Sequence, residues 1–276
     1  MTLPASAPHT APRPHPLNAG FKWQDARTEG LRRVAREQAE QFNTLGYFKQ
    51  EKAFTAAELA AVTAAIDPLE AEHERRVRAQ GGSLRLSSLD AITFTTHIVK
   101  ESPVLKAFAK HQVYKDICHD LIGDDARLYW DQSVYKKSGK PQEFPWHQDN
   151  GYTFVRPQQY VTCWTPLVDV DEENGCPWMA PGLHKLGTLA HWLTPIGKKC
   201  LEDVPDAVAV PAKAGDVIVF SSLAPHRTGP NLKADTVRKA YILQYAPDGA
   251  LAYPDDGRVV EQDDPDRQFK ILEGGR

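Results

Sequence analysis

The chain has few of the features that would place it in several large protein classes. Its four cysteines, Cys118, Cys163, Cys176 and Cys200, are widely spaced and form no CxxC pair, so neither a zinc knuckle nor a disulfide framework is predicted. No apolar run approaches the length of a transmembrane helix. The formal net charge is only -3, which gives no electrostatic reason to expect binding to nucleic acid or to an acidic membrane. A protein of the reducing cytoplasm is expected.

The remaining composition is typical of a globular protein. Hydrophobic residues make up 41% and charged residues 25% of the 276 positions, enough for one large domain. Residues 1–20 are rich in Pro, Ala and Thr and lack the apolar stretch of a secretory signal. We therefore predict a flexible tail over 1–20 and a single domain over 21–276, and the sequence does not predict the oligomeric state.

The first half of the chain shows helical patterns. Apolar residues recur at helical spacing over residues 28–43, 58–79 and 103–122. Thr55 and Glu58 have the spacing of a capping box that opens the second helix. Pro68 is expected to kink or divide this helix. Residues 83–94 are polar and serine-rich and have no clear period, which predicts a mobile loop and leaves open whether residues 78–97 form a lid.

From Arg127 onward the pattern changes to strands. Short β-branched and aromatic segments are separated by Gly, Pro, Asn and Asp; they cover residues 128–136, 159–170, 206–212, 216–222 and 238–246. Because no helices intervene, these strands favour an antiparallel architecture. The predicted fold is mainly β with flanking α-helices, a double-stranded β-helix (jelly roll) whose core spans about 127–250.

The motif His147-Gln148-Asp149 is the main candidate for chemistry. Side chains alternate along a strand, so His147 and Asp149 lie on the same face. His226 follows a distant apolar strand and could complete a set of two imidazoles and one carboxylate. This is the facial triad of non-haem Fe(II) oxygenases, which leaves the opposite coordination positions open. A bare HxD pair also occurs by chance, and His184 is a competing histidine whose loop position favours a structural role.

Such a metal needs electrons to reduce dioxygen, and a 2-oxo acid is the usual donor. The distal carboxylate of that cosubstrate requires a cation at a fixed distance. Arg238, on the strand after His226, offers a bidentate guanidinium. Arg227 follows His226 and Lys239 follows Arg238. On an extended chain the side chains of Arg227 and Lys239 therefore point to the opposite face. An arginine on a late strand is, however, often a solvated surface residue.

Four ordered motifs together resemble the phytanoyl-CoA dioxygenase family. They are WHQD at 146–149, DVDEENGCPWMAPGLHK at 169–185, AGDVIVFSSLAPHRTGPN at 214–231, and Arg238. The segment LGYF followed by TAAEL is similar to the opening of that family. The resemblance spans roughly residues 42–245, most of the chain.

The resemblance implies a set of site residues. It makes His147, Asp149 and His226 the ligands of Fe(II), and it makes Arg238 the partner of the 5-carboxylate of 2-oxoglutarate. Arg238 lies twelve residues after His226, one more than in many relatives. On the strand before the HxD motif it assigns a further cosubstrate contact, for which Gln132 is the best match and Tyr135 and Lys136 are the alternatives. It also places Trp164, on the strand after the motif, in the lining of the cosubstrate pocket.

The implied activity is that of an Fe(II)- and 2-oxoglutarate-dependent dioxygenase. Such an enzyme would use O2 to hydroxylate an unactivated C–H bond of a small-molecule substrate, releasing succinate and CO2. Because Asp149 is present where related halogenases have a small residue, hydroxylation is favoured over halogenation. Substrate contacts are expected near the metal, from Phe94, His97, Trp146, Asn150 and Tyr152.

Two other classes of function remain open at the sequence level. One is a zinc- or manganese-dependent isomerase or hydrolase on a similar cupin-type barrel, which would need a general base that the sequence does not obviously offer. The other is a non-catalytic sensor that binds iron or a 2-oxo acid without turnover.

Overall fold

A computed structural model describes residues 11–276, and all structural statements below concern those residues. The helices are α1 (Arg36–Leu45), α2 (Ala56–Ala79), α3 (Pro103–Ala109) and α4 (Gln112–Leu121). The strands are β1 (Tyr47–Gln50), β2 (Ser83–Leu84), β3 (Ser87–Ser88), β4 (Ile92–Thr96), β5 (Ala126–Lys137), β6 (Phe144–His147), β7 (Phe154–Arg156), β8 (Val161–Pro166), β9 (Pro177–Met179), β10 (Trp192–Thr194), β11 (Gly197–Lys199), β12 (Val208–Ala209), β13 (Val217–Ser221), β14 (His226–Thr228), β15 (Val237–Pro247), β16 (Leu251–Tyr253), β17 (Val260–Glu261) and β18 (Lys270–Leu272).

Two antiparallel sheets form the core of the described chain. The larger has the order β1-β13-β8-β15-β5-β4-β3-β2, with β18 also paired to β5, and the smaller has the order β12-β9-β14-β6. Each of the five predicted strand segments overlaps one observed strand. The predicted jelly roll with flanking helices is confirmed.

The central strands of the larger sheet are buried on both faces. In β13, Val217 and Val219 belong to the apolar cluster that packs against the helices. Ile218 and Phe220 alternate with them and belong to the second cluster, which includes residues of the smaller sheet. Period-two alternation thus divides one strand between two cores, and the layers run from helices to large sheet to small sheet.

The helical part differs from the prediction in three places. α1 begins at Arg36 rather than near residue 28. α2 is continuous through Pro68; its buried face, including Val62 and Ile66, packs against the core on the N-terminal side of the proline, and this packing offsets the lost backbone hydrogen bond. The third predicted helix is divided into α3 and α4, because His111 caps a new helix by accepting a hydrogen bond from the Val113 amide (3.2 Å).

The serine-rich segment 83–94 forms strands rather than the predicted loop. β4 pairs along β5, and β3 and β2 extend that edge of the sheet. Ser87 stabilises the turn region because its hydroxyl accepts a hydrogen bond from the Phe94 amide (3.0 Å) and contacts His73 Nε2 (2.8 Å). The segment lacks an apolar repeat because polar side chains such as Ser87 form these local hydrogen bonds.

The predicted tail falls partly outside the described residues, which exclude 1–10. Its described part packs on the domain: Pro14 bridges Leu189, and the His15 ring stacks on Phe154 with centroids 4.9 Å apart. No helix among residues 11–276 combines the length and the apolar character needed to cross a bilayer.

A matched pair of leucines tests the position of the core. Leu105 of α3 is fully buried, whereas Leu193 in the β10–β11 hairpin is 80% exposed. We expect Leu105→Ala to lower the free energy of unfolding by about 2–5 kcal/mol, and Leu193→Ala to change it by less than about 0.5 kcal/mol. Urea denaturation measures both. Equal losses in the two variants would contradict this assignment of the core.

Candidate metal centre and adjoining cavities

His147, Asp149 and His226 come together where the smaller sheet ends. His147 is the last residue of β6 and His226 the first of β14, and the two are directly paired in the antiparallel register. Asp149 opens a short 3-10 turn two residues after His147. Its Oδ1 lies 3.9 Å from His147 Nε2 and 3.8 Å from His226 Nε2. All three ligating atoms lie within 4.8 Å of one another.

Backbone carbonyls orient both imidazoles. His147 Nδ1 donates to the Pro145 carbonyl (2.8 Å), and His226 Nδ1 donates to the Ala224 carbonyl (3.0 Å). Each Nε2 is therefore left as a lone-pair donor directed at Asp149. Burial lowers the pKa of His147 well below its usual value, so this ring is neutral. Two imidazole nitrogens and one carboxylate oxygen on one side of a common point fit a divalent iron ion.

Two residues that sequence reasoning missed hold the carboxylate of Asp149. Thr162 donates its hydroxyl proton to Oδ2 of Asp149, and Gln244 also hydrogen-bonds this carboxylate. Thr162 and Gln244 are register partners on β8 and β15. Burial raises the pKa of Asp149, and these hydrogen bonds oppose that rise. They leave Oδ1 directed at the two histidines.

Arg238 lies in the wall of a smaller cavity that also contains the triad. Its side chain is 1% exposed, and burial lowers its pKa to about 9. Nη1 donates to the Val134 carbonyl (3.1 Å), whereas Nε and Nη2 have no hydrogen-bond partner among residues 11–276. A buried guanidinium with two unused donors is costly unless an anion binds to it.

The other predicted cosubstrate residues divide between two places. Gln132 and Trp164 line the smaller cavity, and the Arg238 guanidinium lies 5.3 Å from the centre of the Trp164 ring. Lys136 is not in the lining of this cavity. It is buried, and its Nζ donates to three backbone carbonyls, those of Gln142 (3.1 Å), Thr228 (2.9 Å) and Gly229 (2.6 Å).

A larger cavity of about 690 Å³ opens onto His147 and Asp149. Aromatic residues form much of its inner wall: Phe94, Tyr129, Trp130, Phe144 and Tyr152. The β2–β3 hairpin contributes Leu84, Arg85 and Leu86 to its outer wall. The two cavities share Phe94, Gln132 and Phe144 as well as two members of the triad.

Only two of the five residues expected to face a substrate line this larger cavity, namely Phe94 and Tyr152. Asn150 instead bonds to Thr188, and its side chain is fully buried. Trp146 packs in a separate apolar cluster, and His97 lies behind the wall against Trp130, with ring centroids 4.2 Å apart.

The competing histidine, His184, lies away from the triad. It is fully buried against the Trp23 ring (4.4 Å between centroids). It also packs against Gly46, at which a Cβ atom would lie 2.6 Å from its ring. These contacts support the structural role that its loop position suggested.

The model of one protein family, phytanoyl-CoA dioxygenase (PhyH), matches residues 42–240. The chain belongs to this family. Among its curated relatives, a methylphosphonate hydroxylase of Gimesia maris is 33% identical over 48% of this chain and 50% of its own length. A phytanoyl-CoA dioxygenase of Arabidopsis thaliana is 25% identical over 62% of each chain. The matches therefore span about half to three-fifths of these relatives.

Two solved structures share the fold of this chain. The epimerase SnoN, solved with Fe3+, alpha ketoglutarate and nogalamycin RO, superposes with a TM-score of 0.67 at 20% identity, covering 85% of this chain and 97% of that one. EctD from S. alaskensis, solved with 2-oxoglutarate and 5-hydroxyectoine, gives a TM-score of 0.64 at 22% identity, covering 94% and 88%. At these identities the likeness establishes the architecture.

The hydroxyl of Thr162 provides a test of the metal centre. Thr162→Val removes the donor to Asp149 and keeps the side-chain shape, so we expect it to weaken Co(II) or Fe(II) binding by about 10- to 100-fold. Thr162→Ser keeps the hydroxyl and should bind the metal within a few-fold of the parent. Calorimetric titration under anaerobic conditions gives both dissociation constants. Equal affinities in the Val and Ser variants would show that the hydroxyl does not support Asp149.

Proposed function

We propose that the chain is an Fe(II)- and 2-oxoglutarate-dependent dioxygenase that hydroxylates a C–H bond of a small molecule. The observation that carries this proposal is Arg238, a buried guanidinium with two unused donors in the same cavity as a two-histidine, one-carboxylate triad. A metal alone would not require that cation. A cosubstrate with one end at the metal and a carboxylate at the other requires both.

In this mechanism each residue has a distinct task. His147, Asp149 and His226 would hold the iron, and Arg238 would hold the 5-carboxylate of 2-oxoglutarate. When bound, the iron with 2-oxoglutarate and O2 supplies an oxidative decarboxylation that yields succinate and CO2 and adds oxygen to a C–H bond. Asp149 would supply a carboxylate ligand where related halogenases have a small residue, which favours hydroxylation over halogenation.

The cosubstrate would extend across the boundary between the cavities. At about 40 Å³, the smaller cavity is too small for the whole 2-oxo acid, since this volume is close to that of a water molecule or two. We therefore place only the end nearest Arg238 there. Gln132, Phe94 and Phe144, shared by both cavities, would line the remainder.

We propose that the larger cavity receives the substrate. Its volume of about 690 Å³ lies in the range of sites that enclose drug-sized molecules. Relatives are named for methylphosphonate, 2-aminoethylphosphonate and phytanoyl-CoA, so the family name does not choose the substrate. The volume and the aromatic inner wall support a molecule larger than methylphosphonate with an apolar part near the metal.

A cytoplasmic location stays a prediction, supported by the four cysteines, which are all free and buried.

Succinate formation tests the reaction class. Protein loaded with Fe(II) without oxygen should convert 2-oxoglutarate to succinate when O2 is admitted, at a rate that increases when a substrate from a metabolite mixture is present. Mass spectrometry should find a product heavier by one oxygen atom. A metal-dependent isomerase or hydrolase would act without O2 and form no succinate. A sensor would bind iron and 2-oxoglutarate but give no turnover with any substrate.

Arg238→Met distinguishes cosubstrate binding from metal binding. Loss of a buried charge partner costs about 2–5 kcal/mol, so we expect the KM for 2-oxoglutarate to rise by roughly 30-fold or more. The dissociation constant for Fe(II) should stay within a few-fold of the parent. Lys136→Met is the matched control, because its cation is also buried but is bound to backbone carbonyls; the folded fraction of this variant should retain the parent KM. If Lys136→Met raised the KM for 2-oxoglutarate and Arg238→Met did not, the 5-carboxylate would be assigned to Lys136.

A further inference from the structure

The segment 13–18, here called the N-terminal strap, crosses the outside of the loop 186–191. Hydrogen bonds join the strap to the loop: from the His15 amide to the Thr188 carbonyl (2.8 Å), from the Ala190 amide to the Arg13 carbonyl (2.6 Å), and from Asn18 Nδ2 to the Leu186 carbonyl (2.8 Å). The strap therefore fixes the course of this loop along most of its length.

Asn18 is the central residue of this contact. It is 7% exposed, and its Oδ1 also accepts a hydrogen bond from Gln158 Nε2 (3.0 Å). Gly187 permits the close approach, because a Cβ atom there would lie 2.3 Å from Asn18 Oδ1, and its φ of +72° favours glycine.

The inner side of the same loop holds Gln148, the residue between the two ligands of the HxD motif. Gln148 is fully buried. Its Oε1 accepts from the Leu189 amide (2.6 Å), and its Nε2 donates to the carbonyls of Gly187 (3.0 Å) and Leu223 (2.6 Å). Leu223 directly precedes Ala224, whose carbonyl orients the His226 ring. Gln148 thus connects the HxD segment, the loop 186–191 and the approach to the third ligand.

Two further contacts tie the loop to the residues around Asp149. His191 Nε2 accepts a hydrogen bond from the Gln148 amide (2.9 Å). The His191 ring also occupies the space beside Gly151, where a Cβ atom would lie 2.0 Å away. Thr188 accepts from Asn150 Nδ2 through its hydroxyl (2.6 Å).

We propose that the N-terminal strap is a support of the metal centre, and that Asn18 and Gln148 are positioning residues for its ligands. Neither touches the metal position; the strap acts on the ligands through the loop 186–191, which contacts Gln148 and Asn150 on either side of Asp149. The inference rests on the proposed metal centre. It assigns a role in supporting metal binding to a segment whose composition predicts a tail.

The experiment compares three variants of the full chain, with Co(II) as the probe. Asn18→Leu removes both hydrogen bonds of the strap asparagine. Asn43→Leu is the matched control, since Asn43 is 8% exposed and also makes two hydrogen bonds, with Ala26, on the helical side of the molecule. Gln148→Met removes the side-chain hydrogen bonds of Gln148 to Gly187, Leu189 and Leu223. The readouts are the Co(II) dissociation constant, the visible absorption spectrum of the bound Co(II), and the Tm of the metal-free protein.

We expect Gln148→Met to raise the Co(II) dissociation constant by about 10- to 100-fold, and Asn18→Leu to raise it by a smaller factor, at least about threefold, with an altered Co(II) spectrum. Asn43→Leu should lower the Tm comparably and leave the dissociation constant within twofold. The double variant Asn18→Leu/Gln148→Met should lose less affinity than the product of the single losses, because both act through one loop. Should Asn18→Leu not fold, Asn18→Ala, which removes the same side-chain hydrogen bonds without adding bulk or charge, serves the same comparison.

Two results would overturn the strap's role. One is parental Co(II) affinity in Asn18→Leu despite a lowered Tm. The other is an equal loss of affinity in Asn43→Leu, which would make the effect one of general stability. Failure of the parent protein to bind Co(II) is a different result: it would remove the proposed metal centre, and the strap's role with it.

Discussion

The candidate site depends on one feature of the smaller sheet, the direct pairing of His147 on β6 with His226 on β14. Cross-strand partners project to the same face, so this register alone brings together two residues that are far apart in the chain. Each ring is then turned by the same device, a hydrogen bond from Nδ1 to the carbonyl two residues earlier. His191 repeats it with the Leu189 carbonyl, which leaves its Nε2 free to accept from the HxD backbone. Three histidines are thus held in one tautomer by local backbone geometry.

Burial makes the same site dependent on what binds to it. Asp149 and Arg238 both lie where a charge is poorly solvated, as the direction of each pKa shift indicates. Among residues 11–276, Asp149 has no Lys or Arg within ion-pair distance, only the two imidazoles, and Arg238 has no Asp or Glu there. A cation at the triad and an anion at Arg238 would offset these two costs separately. The folded protein is therefore expected to gain stability from both ligands.

The parts of the structure that follow from local pattern were predictable. The strands, the jelly roll and the relation of His147 to Asp149 depend on period-two alternation and on the order of helices and strands. Arg238 could be chosen over Lys239 for the same reason. Lys136 shows the limit of this reasoning: it is the register partner of Arg238, yet its flexible side chain carries Nζ to the carbonyls of Gln142, before β6, and of Thr228 and Gly229, at the end of β14. Alternation indicates a face, and it does not indicate where a flexible side chain ends.

Other parts depend on contacts between distant segments. Thr162 and Gln244 support Asp149 only because β8 and β15 pair in one register. The sequence of neither strand predicts that register. The continuity of α2 through Pro68 was missed because tertiary packing outweighs local propensity. The contacts of residues 13–18 could not be predicted from the sequence for a similar reason. Their composition is that of a linker, and their order comes from hydrogen bonds to the loop 186–191.

The β2–β3 hairpin has a further consequence for how such a protein can diversify. It lies at the free edge of the larger sheet, at the opposite end of the strand order from β1 and β13, and each of its strands has only two residues. An edge hairpin can change in length or sequence without breaking the pairing of interior strands. The outer wall of the larger cavity is thus separable from the metal ligands, which lie on the other sheet and the turn after it. Selectivity for a substrate and the chemistry performed on it can evolve as independent modules on this fold.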